Sequence, residues 1–261
     1  MIANYHTHTS RCGHAGDYRD EEFVEAAIEA GFKVLGFSDH SPWPYASEFY
    51  NPGMRMHISQ LEDYIESVLK MRAEYAGQID IKLALEAEYS PDYMDWLTDL
   101  RPRLDYLILG NHFQGVDEQG GRYYGGITKT EDLETYVDST MQAMETGLYD
   151  LVAHPDFVFS QLKTFDEQCE EAAHAICETA ARLDIPLEHN ISGHEKRDKG
   201  IFKGLGFPLD PFWQIAASHS VTSVIALDAH HPYQLNQPEL IVEAQEYLSK
   251  LGIKVLDEDF V

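Results

Sequence analysis

Short apolar runs rich in β-branched residues alternate along this chain with longer amphipathic stretches. The runs at residues 2–6, 33–37, 79–85, 106–109, 150–153, 185–188 and 223–227 are too short for helices and are bounded by polar or turn residues, so they are read as strands. Between them, apolar positions recur at helical spacing over residues 20–30, 58–75, 91–100, 131–146, 166–182, 211–218 and 238–251. Asp20 followed by Glu21 and Glu22 marks a helix start, and Gly31, Gly77, Gly147 and Gly252 mark helix ends. A strand followed by a helix, seven times over, requires crossover connections and hence a parallel sheet. Seven units are one short of the eightfold barrel, so the pattern predicts an α/β fold, a distorted (β/α)7 barrel. Two long connections, residues 41–56 and 113–129, follow strands and are expected over the barrel mouth. No repeat, low-complexity tract or linker interrupts the pattern, which makes residues 1–261 one domain.

Composition narrows this little, and charge narrows it more. Hydrophobic residues at 44 % and charged residues at 25 % fit a globular protein. No apolar run reaches the roughly 18 residues of a membrane-spanning helix, and residues 1–6 lack the basic-then-apolar pattern of a signal peptide. Three cysteines, Cys12, Cys169 and Cys177, form no disulfide framework, which agrees with a cytoplasmic setting. Cys169 and Cys177 are read as packing residues. Cys12, between His8 and His14, has no second cysteine near it to make a thiolate metal site. Nineteen basic against 45 acidic residues give a net charge of −26. That field repels nucleic acids and anionic membranes, so neither is an expected partner. A small anion remains admissible where bound cations offset the field locally.

The chemistry lies at the ends of the predicted strands. The first ends in His6-Thr7-His8, with His14 just beyond, and the second in Ser38-Asp39-His40. The third ends in Glu86-Ala87-Glu88 and the fourth in Asn111-His112. His154-Pro155-Asp156, Glu188-His189-Asn190 and Asp228-Ala229-His230-His231 close the other three. In a parallel barrel these ends converge on one face, and residues two apart on a strand share a side. One histidine near a strand end is ordinarily packed or solvated, and one aspartate there is ordinarily a helix cap. His57, His174, His189, His194, His219 and His231 are assigned to that ordinary class. Metal-ligating types at all seven ends are a different matter, because imidazole and carboxylate together suit zinc, iron or manganese.

The ordered set of His-x-His, His14, Ser-Asp-His, Glu, His-Phe, His-Pro-Asp and Asp-Ala-His resembles the polymerase and histidinol phosphatase (PHP) family. The opening HTHTSRCGHAGD, the segment FSDHSPWP and LEHNISG resemble its histidinol-phosphatase branch. The resemblance implies a distorted barrel holding three divalent or trivalent metal ions. On that pattern His6, His8, Glu86 and Asp228 hold one ion. Glu86 bridges to a second, completed by His112 and His154, and His14, His40 and His230 hold the third. It also implies phosphomonoesterase activity on a small phosphorylated substrate, L-histidinol phosphate in histidine biosynthesis. Glu86, Asp228 and His230 are the expected catalytic residues, with Asp228 or His230 as general acid. Asp39 is expected to orient a neighbouring imidazole.

One position departs from that branch. Where an arginine typically follows the Asn-x-Ser-Gly segment, this chain has Glu195, followed by Lys196 and Arg197. Lys196, Arg197 and His40 are therefore the expected substrate-binding residues, with Arg11, Arg55 and Arg122 as further anion binders. Another small phosphate ester or nucleotide is the alternative substrate. A non-catalytic metal-binding module is disfavoured, because none of the nine ligand types is lost. The alcohol-reading residues (Tyr45, Glu48 and Tyr123 were candidates) and the oligomeric state are left open.

Overall fold

The computed structural model describes residues 1–258 and 260–261. Among the described residues there are ten strands: β1 (Ala3–Asn4), β2 (Val34–His40), β3 (Asp80–Ala87), β4 (Tyr106–Leu109), β5 (Phe113–Gln114), β6 (Arg122–Tyr123), β7 (Leu151–Val152), β8 (Leu187–Asn190), β9 (Thr222–Ala226) and β10 (Lys254–Leu256). Eight pair in parallel in the order β1-β2-β3-β4-β7-β8-β9-β10, while β5 and β6 make a small antiparallel hairpin inside the 113–129 connection. The helices are α1 (Asp20–Glu29), α2 (Leu61–Glu74), α3 (Met94–Leu100), α4 (Leu133–Glu145), α5 (Glu167–Leu183), α6 (Ile191–Asp198), α7 (Asp210–Ser218) and α8 (Pro238–Lys250). All seven predicted strands and seven predicted helices are present. Strands β5, β6 and β10 and helix α6 are additional to the sequence-based expectation.

The barrel closes in two different ways at its two ends. At the mouth, Thr7 bridges Ala229 directly, with His8 N–H donating to the Ala229 carbonyl at 2.8 Å. At the base, β10 pairs with β9, and the Asp257 carboxylate takes the backbone N–H groups of Ile2 and Ala3. The short extra strand thus fills the gap between first and seventh strands, which is the distortion expected of seven full units.

The interior follows strand parity. Ala3, Tyr5, Val34, Ala84, Tyr106, Ile108, Leu151, Ala153, Val224 and Ala226 pack within the barrel. The larger apolar layer, including Phe23, Leu35, Phe37, Ile81, Leu107, Ile176 and Trp213, lies between sheet and helices. Two steps along β3 from Ala84 is Glu86, and two beyond Ala226 is Asp228, so the inward row passes from packed core to carboxylates at the mouth. Cys12, Cys169 and Cys177 are all buried and free, as expected for the latter two. No helix among the described residues is long and apolar enough to cross a membrane.

Candidate metal centre

Eight of the nine expected ligands are largely or fully buried at the barrel mouth; His14 is the more exposed one. Their donor atoms converge. His8 Nε2 lies 3.1 Å from His6 Nε2 and 3.1 Å from Asp228 Oδ1. Glu86 Oε2 is 3.0 Å from His40 Nδ1, and its Oε1 is 3.1 Å from His154 Nε2 and 3.5 Å from His112 Nε2. His230 Nε2 and His14 Nε2 are 2.9 Å apart. Three donor sets each lie within 4.8 Å of one another: His6, His8 and Asp228; His40, Glu86 and His112; His8, His40 and His230. So many ring nitrogens facing one another without a protein donor between them fits a group of cations better than a hydrogen-bonded core. Glu86 stands at the centre because Gly110 lies against its carboxylate. A Cβ at Gly110 would sit 2.0 Å from Glu86 Oε1.

The polarity of the cluster is set by burial working against charge. Burial lowers the basicity of His6, yet Glu188, Glu86 and Asp228 outweigh it and hold His6 well above an ordinary imidazole. Burial acts likewise on His8, and Asp228 and Asp39 push it up to about 9. Burial wins at His40 and His230, which are held well below the ordinary value, His8 adding repulsion at both. Burial would raise the Glu86 and Asp228 carboxyls, but the surrounding imidazoles hold both well below the usual carboxylate range. Glu86 and Asp228 are therefore held as anions, and His40 and His230 as neutral imidazoles.

Carboxylates stand behind the ligands. Glu188 Oε1 is 2.6 Å from His6 Nδ1, while its Oε2 accepts from the His154 backbone N–H and from Asn190 Nδ2. Asp39 Oδ1 is 3.5 Å from His8 Nδ1. Glu88 Oε1 is 3.6 Å from His112 Nδ1. Glu188 is hydrogen-bonded to the ring nitrogen of His6 that faces away from the centre and so fixes that ring, while Asp39 and Glu88 lie near His8 and His112 beyond hydrogen-bond distance. Asp39 takes the place expected of it. The sequence signal for Glu88 is its place two residues after Glu86, and for Glu188 its place at the end of the sixth predicted strand beside His189. Cys12 is buried with its sulfur within 4.8 Å of donor atoms of His14 and His230, and of His8 and Asp39. Burial first, then Asp39, raises its thiol far above the ordinary value, so it stays protonated.

The expected anion binders fare unequally. Lys196 and Glu195 line the mouth cavity together with His40, whereas Arg197 donates to the Pro208 carbonyl and lines a separate small cavity with His189 and His194. The reason is that residues 191–198 form α6, capped by Asn190 Oδ1 accepting the Gly193 N–H at 2.7 Å, not a loop free to shift register. Arg11 is paired with Asp20 and Asp63, and Arg122 with Asp132. Arg55 is buried between Glu88 and Asp117. These three arginines are already neutralised and do not line the mouth. Of the candidate alcohol readers, Tyr123 lines the cavity, while the Tyr45 hydroxyl is bound to Asp117. The histidines assigned to ordinary roles behave so: His57 caps a short helical turn, His174 meets His219, and His189 packs on Trp213. His231 differs in lining the cavity rim, stacked on Tyr233.

A parallel barrel with buried imidazoles and carboxylates gathered at the C-terminal ends of its strands defines a metal-site protein of the hydrolase type. The PHP domain model matches residues 4–192, and the chain belongs to that family. A protein of Deinococcus radiodurans named "Probable histidinol-phosphatase" is 28 % identical over 242 residues, 88 % of this chain and 87 % of that one. Two solved structures share the fold. HisK of Listeria monocytogenes, a histidinol phosphatase candidate, superposes with TM-score 0.76 at 22 % identity, covering 90 % of this chain and 97 % of that one. Histidinol phosphate phosphatase of Lactococcus lactis, solved with zinc, L-histidinol and phosphate, gives 0.72 at 18 % identity, covering 98 % and 95 %.

Proposed function

We propose that this chain is a metal-dependent phosphoric monoester hydrolase that converts L-histidinol phosphate to L-histidinol and phosphate. The observation that carries the reading is one cavity of about 580 Å³ into which Glu86, His112, His154, Asp228 and His230 open from below and Lys196 from the side. Family membership and the similarity to the Deinococcus protein support it, and the Lactococcus complex supports a small phosphorylated amino alcohol as substrate.

On the expected pattern, three zinc, iron or manganese ions would be held by His6, His8, Glu86 and Asp228, by Glu86, His112 and His154, and by His14, His40 and His230, whereas the donor atoms themselves group His40 with Glu86 and His112, and His8 with His40 and His230. Such ions, when bound, lower the pKa of water and neutralise phosphoryl oxygens. The residues do the rest. Lys196, which has no ion-pair partner among the described residues, offers its ammonium to the phosphate. Asp228 and His230 both line the cavity floor, and one of them would supply the proton to the leaving alcohol oxygen. Phe157, Phe202 and Phe207 wall the cavity and limit the water that can reach the phosphoryl group.

The test is free-phosphate release from a panel of monoesters by metal-replete protein. Histidinol phosphate is expected to exceed generic esters in kcat/KM by about tenfold or more. Preference for another ester would move the substrate and keep the reaction. Absence of phosphate release from every monoester would overturn the hydrolase reading.

A further inference from the structure

The mouth has a second, outer half whose chemistry differs from the metal floor. Glu86 and Asp228 are buried below, whereas Ile201, Lys199 and Tyr233 at the rim are well exposed. Between the two stands Glu195, on the face of α6 that lines the cavity, with its side chain 18 % exposed. Apart from Glu86 and Asp228 on the floor, it is the one carboxylate lining this cavity among the described residues. Its Oε1 accepts from Nζ of Lys199, the C-cap residue of α6, at 2.5 Å. A phosphomonoester entering phosphate-first brings its organic end to this level. A carboxylate here repels a phosphate, so it does not serve as the anion clamp. It fits a cationic group on the alcohol, and the aromatic side chains of Phe202, Phe207 and Tyr233 around it fit a flat ring.

Resting on the phosphatase reading above, we propose that Glu195 is the specificity residue for the organic end of the substrate: it binds an ammonium or imidazolium group there, and Lys199 is the internal cation that occupies it until substrate arrives. The pairing explains why a lysine one helical turn away is tolerated beside an entry route for an amine. Its ammonium hands the carboxylate over to the incoming charge and swings into solvent, where it is already 61 % exposed. Discrimination then comes from leaving Glu195 unpaired or repelled when the alcohol is neutral or acidic.

Two measurements on the full-length metal-loaded protein test this. Binding of L-histidinol, which carries the cation but no phosphate, is followed by calorimetry for wild type, Glu195→Gln and Lys199→Ala. Glu195→Gln is expected to weaken it about tenfold or more, and Lys199→Ala to tighten it. In kinetics, Glu195→Gln is expected to cut the ratio of kcat/KM for histidinol phosphate over p-nitrophenyl phosphate by a similar factor, mainly through KM. Equal histidinol affinity in wild type and Glu195→Gln, or equal losses on both esters, would overturn the assignment while leaving the phosphatase intact. An inert wild type would instead overturn the activity, and the calorimetry would still decide whether Glu195 reads the cation.

Discussion

Replacing Arg55 by methionine should destabilise the protein far more than removing any surface arginine. The side chain is 1 % exposed, and its three nitrogens reach four acceptors. Nη1 and Nη2 make 2.8 Å bonds to the two oxygens of Glu88, Nη1 also reaches the Ser41 carbonyl at 3.1 Å, and Nε and Nη2 approach Asp117 Oδ2 at 3.3 and 3.2 Å. Methionine keeps most of the volume and removes the charge, so Glu88 and Asp117 are left buried without their cation. Breaking such a pair costs about 3–5 kcal/mol. With an unfolding entropy of roughly 0.5 kcal/mol/K for a chain this long, the apparent Tm should fall by about 6–10 °C. Scanning calorimetry at fixed scan rate and metal content is the assay. The double variant Arg55→Met/Glu88→Gln should recover about half the loss, because it also removes one stranded charge. The pH dependence has a definite sign. In wild type, Arg55 outweighs burial and holds the Glu88 carboxyl well below the usual range, so that stability is present above the ordinary carboxylate value and is lost only in strong acid. In Arg55→Met burial acts on Glu88 with less opposition, its carboxyl rises, and the deficit should narrow from pH 7 to pH 5. A Tm within about 2 °C of wild type, or a deficit that widens on acidification, would refute the reasoning.

Other outcomes follow from the centre itself. Glu86→Ala should lose both bound metal, read by elemental analysis, and phosphate release; full metal content would rule out a shared ligand. Glu188→Gln keeps the volume but weakens the 2.6 Å contact that sets the His6 ring, and should lower metal affinity or activity by about 10- to 100-fold. Zinc uptake by metal-free protein at pH 7 should release protons, since His6 and His8 hold theirs above the ordinary value until a cation displaces them. Calorimetry in two buffers of different ionisation enthalpy measures this, and affinity should fall as pH falls; zero release would contradict the charge state argued for these rings.

What could be read from the sequence was whatever repeats with the period of an element. Seven strand-helix units and their ligand-bearing ends were legible because each strand carries its own copy of the signal, as in Asp39-His40 on β2 or Glu86 on β3. Strand β10 was not, since Lys254–Leu256 is three residues long, with no ligand after it, and earns its place only by filling the gap between β9 and the first strand. Helix α6 was missed because Gly193 and a largely polar run dilute its periodicity, although Asn190 is a regular N-cap signal. Arg11 and Arg55 were misjudged for a different reason. Arg55 meets Glu88 and Asp117, 33 and 62 residues away, and Arg11 meets Asp63 52 residues away as well as the nearer Asp20, and no local pattern reports the long-range pairings.

The last feature beyond the reach of the sequence is backbone strain at the ligands. His154 and Asp228 have φ of 30° and 48°, in the left-handed region that side chains with a Cβ rarely occupy. Each such residue costs on the order of 1–3 kcal/mol and persists only where its surroundings over-determine it. Here the restraints can be named. His154 N–H is held by Glu188 Oε2, and the Asp228 carboxylate by Asn190 Nδ2 at 3.3 Å and His8 Nε2 at 3.1 Å. Beyond Asp228, the Ala229 N–H donates to the His6 carbonyl. His154 is two residues beyond the end of β7 and Asp228 two beyond the end of β9, so in both the chain turns as soon as the strand has ended. The left-handed turn bends the chain there and leaves His154 Nε2 3.1 Å from Glu86 Oε1 and Asp228 Oδ1 3.1 Å from His8 Nε2. Glu188 and Asn190, both on β8, therefore do more than orient single rings. Glu188 holds the end of β7 at His154 and Asn190 the end of β9 at Asp228, so β8 fixes the strand ends on both sides of it.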